Sequence, residues 1–67
     1  MLYEIRVKGM MTPSLEKMFA PLRCVFELGE TSFIGDLKDQ SELFGVLKKI
    51  RDLNIVLLSV NRVNKGE

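Results

Sequence analysis

Few residues in this chain could do chemistry. Among 67 residues there is no histidine and one cysteine, Cys24. Hydrolytic triads, imidazole bases and most zinc or copper sites need histidine, so those classes drop out. A nucleophilic Cys24 would need a nearby base or cation to lower its pKa. Strand alternation instead turns it inward, opposite Gly35, and a buried, quiet structural thiol is the expectation. Asp36, Asp39 and Glu42 form a small acidic group of the kind that can hold a hard cation. Helix capping accounts for Asp39 and Glu42, and a cross-strand pair with Arg23 accounts for Asp36, so no metal is expected. No catalytic, cofactor or metal residue emerges, and an enzyme is not expected.

The elements that must carry whatever function remains are clearer. From residue 39 to 60 the chain reads DQSELFGVLKKIRDLNIVLLSV. Asp39 suits an N-cap with Glu42 three residues on, a capping box that satisfies free N–H groups and sets acid at the positive helix end. Leu43, Val46, Leu47, Ile50 and Leu53 form one apolar stripe of helical period. Lys48, Lys49 and Arg51 lie where the dipole favours cations. Asn54 suits the left-handed residue that ends a helix, and residues 55–60, Ser59 apart, are β-branched or aliphatic, as in a strand. Upstream, Tyr3, Ile5 and Val7 alternate with Glu4, Arg6 and Lys8, which predicts a half-buried strand. Thr12-Pro13 begins a helix of about two turns that Pro21 stops. Two strand-like segments, 22–28 and 31–37, flank Gly29-Glu30, which suits a two-residue type II′ hairpin turn.

Composition bounds the class. A chain of this length is one domain, 1–67, with 64–67 lacking an apolar anchor and expected to fray. A hydrophobic share of 46% suits a globular protein. Net charge is +1, which gives no electrostatic case for DNA or an anionic membrane. No apolar run approaches the roughly 20 residues that span a bilayer, and MLYEIRVKG lacks a signal peptide's apolar block. A lone cysteine fits a reducing cytoplasm.

The element order β-α-β-β-α-β predicts an α+β fold. It is the ferredoxin-like sandwich of a four-stranded antiparallel sheet, order 4-1-3-2, with both helices on one face. A turn at Gly29-Glu30 would set Leu28 against Thr31, Phe26 against Phe33 and Cys24 against Gly35 on the covered side. The open face would then pair Glu27 with Ser32, Val25 with Ile34 and Arg23 with Asp36, joined by Ile55, Leu57 and Ser59 from the last strand. That mixture of apolar and charged groups predicts an association surface.

Residues Leu37, Asp39, Gln40, Leu43, Gly45 and Leu47, then Asp52, Leu53, Ile55 and 57–60, are similar to a segment of small uncharacterised prokaryotic proteins. Nearly the whole chain resembles their ferredoxin-like, ACT-like domain. The resemblance implies the fold. It also implies amino-acid binding at a dimer interface, by the loop after the first strand, here Gly9, Met10, Met11 and Thr12. That loop lacks the acidic and polar residues expected for holding an amino group, and it lacks the arginine of an acylphosphatase-like phosphate loop. RNA-recognition domains share the topology and stack bases on exposed aromatics of the central strands. Here those aromatics, Tyr3 and Phe33, share parity with core residues and should point at the helices.

What remains is interaction. A small non-catalytic interaction or regulatory module that self-associates, as a dimer in the first instance, is the leading expectation, with an unidentified protein partner possible. The alternative is an ACT-like sensor of a small ligand, an amino acid or a nucleotide, with RNA binding ranked behind both. The interface candidates are Val25, Ile34, Arg23, Asp36 and Leu57, with Phe44 and Gly45 as a second patch on the helical side. Phe44 falls beside the apolar stripe and Gly45 nearly opposite it, and a glycine inside a helix costs about 1 kcal/mol relative to alanine.

Overall fold

The computed structural model describes residues 1–63, and the 64–67 segment expected to fray lies outside the described residues. Six elements follow one another: β1 (Leu2–Lys8), α1 (Pro13–Met18), β2 (Arg23–Glu27), β3 (Glu30–Asp36), α2 (Gln40–Asp52) and β4 (Leu57–Val63). The strands make one antiparallel sheet in the order β2-β3-β1-β4, which is the expected 4-1-3-2 order read from the other edge. The α+β class and the β-α-β-β-α-β arrangement therefore hold.

The second helix is built by the signals that announced it. Asp39 Oδ1 accepts from the Glu42 N–H at 3.1 Å, and Glu42 Oε1 accepts from the Lys38 N–H at 2.6 Å. The return half of the capping box thus reaches one residue further upstream than usual. At the other end Asn54 takes a positive φ of 57°. Its N–H donates to the Arg51 carbonyl and that of Ile55 to the Ile50 carbonyl, each at 3.0 Å, the Schellman pattern. Leu43 and Ile50 are buried, with Val46, Leu47 and Leu53 packed beside them.

β1 and β3 supply the other side of the core. Tyr3, Ile5, Val7, Thr31 and Phe33 all face the helices and are buried. Phe33 stacks on Phe19, ring centroids 4.3 Å apart. Phe19 is the C-cap of α1, and α1 itself buries no residue. Its N-cap is Thr12 as expected, the hydroxyl accepting from the Leu15 N–H at 3.2 Å.

Two registers differ from expectation. The hairpin turn is Leu28-Gly29, with φ of 54° and 79°, a type I′ turn, so Glu27 pairs with Glu30. Cys24 then faces Phe33, Phe26 faces Thr31, Val25 faces Ser32 and Arg23 faces Ile34. The Val25–Ile34, Arg23–Asp36 and Cys24–Gly35 pairs do not form. The reason lies in β1: Glu30 pairs with Lys8 there, so it belongs to a strand and is not free to turn. The last strand starts at Leu57 and not at Ile55, because the Ile55 N–H closes the Schellman motif. A register shift between Arg6 and Val7 follows, setting Leu57 opposite Val7, which faces the helices. Leu57 and Ile55 accordingly leave the open-face rows, and Ile55 packs against the core.

Candidate functional site

The open face of the sheet reads as rows across the strands. One row runs Arg23, Ile34, Glu4, Asn61; the next runs Val25, Ser32, Arg6, Ser59; Asp36, Leu2 and Val63 share a third. Val25 and Ile34 are therefore diagonal neighbours set among polar side chains. Arg6 ties the surface together, 3.3 Å from Glu4 and 3.7 Å from Glu30. Such alternation is how a one-sided antiparallel sheet meets water, and the face is less apolar than its composition promised. Asp36 binds the Met1 nitrogen at 2.6 Å in place of Arg23. With Asp39 and Glu42 occupied at the α2 cap, the three acids do not converge. Among the described residues no group of acids and cysteine is placed to hold a metal ion.

The loop Gly9, Met10, Met11, Thr12 is spoken for by the fold. The Gly9 N–H donates to the Gly29 carbonyl at 2.8 Å, and the Gly9 carbonyl accepts from the Thr31 hydroxyl at 2.6 Å. Met11 is buried, Thr12 caps α1, and Met10 is 69% exposed. The loop is thus stitched to the hairpin tip, its polar groups turned inward and one methionine outward.

On the helical side Phe44 is 60% exposed. A Cβ placed on Gly45 would meet open space. Gly45 lines a groove of about 250 Å³ between α2 and the 19–22 connection, with Phe19, Pro21, Leu37 and Lys49 among its walls. The Lys49 amine donates to the Met18 carbonyl at 2.8 Å and so holds the end of α1 against α2.

The surface that sequence reading missed is the arm made by β2 and its turn. None of the five β2 residues is buried, although Cys24 and Phe26 face the helices. Phe26 is half exposed and Leu28, expected inside, is 95% exposed at the turn. The legible signal was the length of α1: six residues are too few to roof the outer strand. Cys24 is half-buried for the same reason, not buried as expected. Desolvation raises its thiol pKa, and the charge of Glu16 adds to the rise. That is the opposite of activation.

Residues 2–61 match a family described as a domain of unknown function, DUF8691. The chain belongs to this family. No curated protein and no solved structure matches it. Tyr3 and Phe33 of this DUF8691 chain are buried against the helices, so the central strands offer no exposed ring for a base to stack on. Among the described residues no helix is long and apolar enough to cross a membrane.

Proposed function

We propose that this chain is a non-catalytic interaction module that associates with a second copy of itself, in the cytoplasm where its lone thiol stays reduced. The observation that carries this is β2. A strand with two residues on the helix side, one of them phenylalanine, has nothing buried. Leaving Phe26 half in water forgoes much of the stabilisation that burying an aromatic supplies, and a domain this small has little to forgo. The exposed Leu28 lies at the same corner, as does Met10, whose loop is bonded to the hairpin tip. Covering that corner with another protein surface would restore the burial.

An ACT-like ligand-sensing role remains the alternative from the resemblance, but the inward commitment of the Gly9 to Thr12 polar groups works against it. Sedimentation equilibrium over a wide concentration range tests the proposal. A mass that rises with concentration is expected, and Phe26→Ser should hold the protein nearer to monomer with its circular dichroism unchanged. A wild-type chain that stays monomeric at millimolar concentration would refute self-association.

A further inference from the structure

We infer that β2 is the docking edge for a second copy, the two strands running antiparallel about a two-fold axis at Val25. This rests on the self-association reading and specifies its geometry. β2 is an edge strand, paired with β3 alone. Edge strands are commonly blunted by proline, lysine or a bulge. Across Arg23–Glu27 there is no proline or lysine, the register with β3 runs unbroken, and the two charges of this five-residue strand stand at its ends, leaving Cys24, Val25 and Phe26 between them. The opposite edge, β4, is irregular in its register with β1.

The sequence Arg23-Cys24-Val25-Phe26-Glu27 is complementary to its own reverse. In a two-fold pairing each residue meets the one equally far from the axis, so both members of a pair recur on both copies. Val25 then meets Val25 of the other copy. Cys24 meets Phe26 on the helix side, and Arg23 meets Glu27 on the open side, each contact made twice. Among the described residues neither Arg23 nor Glu27 has an ion-pair partner within its own chain. Glu27 moreover sits directly across from Glu30, a like-charge pair that destabilises a hairpin. Arg6, 3.7 Å from Glu30, offsets part of that repulsion, and an arginine from a second copy would offset the share at Glu27.

The backbone agrees with this register. In a hairpin with a two-residue loop, the residues flanking the loop exchange both hydrogen bonds, and the pattern alternates along the strand. Glu27, Val25 and Arg23 thus aim their N–H and C=O groups at β3, and Cys24 and Phe26 aim theirs outward. Pairing about Val25 joins Cys24 of one copy to Phe26 of the other through both groups, making four new hydrogen bonds. Val25 falls in a non-hydrogen-bonded pair, where Cα atoms lie about 4.5 Å apart.

That spacing suits a disulfide, whose Cα atoms lie roughly 4.4–6.8 Å apart. The test uses the full chain with Cys24→Ser, adding Val25→Cys or, as a control on the same face, Ile34→Cys. Mild oxidation should give a covalent dimer with Val25→Cys and leave the Ile34→Cys control largely monomeric. A charge exchange gives an independent readout by sedimentation. Arg23→Glu or Glu27→Arg alone should weaken association about tenfold or more, and the double variant should regain it. Circular dichroism confirms the fold of each. If the wild type associates, but Val25→Cys does not cross-link and the double variant does not recover, the β2 edge is wrong and self-association stands. A wild type that never associates would overturn both.

Discussion

The two halves of the covered sheet face are roofed very differently. On one side α2 runs thirteen residues with a side-chain cap at its start and a Schellman motif at its end. It presses Leu43 and Ile50 onto the core formed with β1 and β3. On the other side α1 runs six residues, buries none of them, and leaves Phe19 beyond its end to do the packing. Both outer strands lack a buried residue, so the contrast lies in the helices: α2 puts Leu43 and Ile50 into the core, and α1 puts none there. On the α1 side the short helix leaves Phe26 half exposed and Leu28 in water at the edge of the sheet.

The largest effect expected from this contrast is on the α2 side. Ile50→Ala removes a side chain that is 2% exposed and should cost about 2–5 kcal/mol, enough to unfold much of so small a domain. Met18→Ala, on the exposed face of α1, should cost well under half as much. Urea unfolding of both variants checks the difference, and equal costs would mean that the halves are not unequal in stability.

Two glycines sharpen the same comparison. A Cβ at Gly35 would collide with Leu22 Cδ2 and come within 3.4 Å of the Leu22 Cα. Leu22 is buried, so Gly35→Ala should cost about 1–3 kcal/mol. Gly45→Ala meets open space in a helix interior and should stabilise by up to about 1 kcal/mol. If Gly45 serves contact with a partner at its groove, that variant would fold well and associate less. The edge pairing at β2 predicts unchanged association.

A smaller change is expected at the turn. Leu28 holds a left-handed backbone with its side chain in water, a conformation that asparagine tolerates better. Leu28→Asn should therefore raise monomer stability by up to about 1 kcal/mol, read as a higher urea midpoint. Loss of stability instead would show that the side chain packs within its own chain.

The smallest effect concerns pH. Desolvation first, then Glu16, holds the Cys24 thiol above its ordinary value, so folding favours the protonated form. Its contribution is intact below the unfolded thiol pKa of roughly 8.5 and is lost as pH rises from there through the raised folded value. Stability should fall slightly more steeply above that range in the wild type than in Cys24→Ser, measured as urea midpoints across alkaline pH. A thiol reagent should react more slowly with the folded chain than with the unfolded one.

How much of this was legible depends on how local the cause is. Both caps of α2, its apolar stripe, the inward set of β1 and the strand order follow from residue types at fixed spacings, and they stand as read. The candidate surface was less legible. Val25, Ile34 and Arg23 do lie on the open face, but their pairing depended on a turn position that the hairpin's own residues do not settle. Glycine first in the turn favoured Gly29-Glu30, and no propensity would choose leucine for a positive φ. The turn moved because β1 claims Glu30 through Lys8 and the Gly9 loop is bonded to Gly29 and Thr31. Those contacts join residues about twenty positions apart, beyond the reach of local signals.

Periodicity, capping residues and turn formers determined which elements form, and in what order, since each acts over a few neighbouring bonds. Whether Cys24, Phe26 and Leu28 end inside or outside was a tertiary matter. It depended on which residues β1 and β3 pair and on how far a six-residue helix reaches across a four-stranded sheet. Burial is a property of what lies overhead, and a side chain's own sequence neighbours do not supply that.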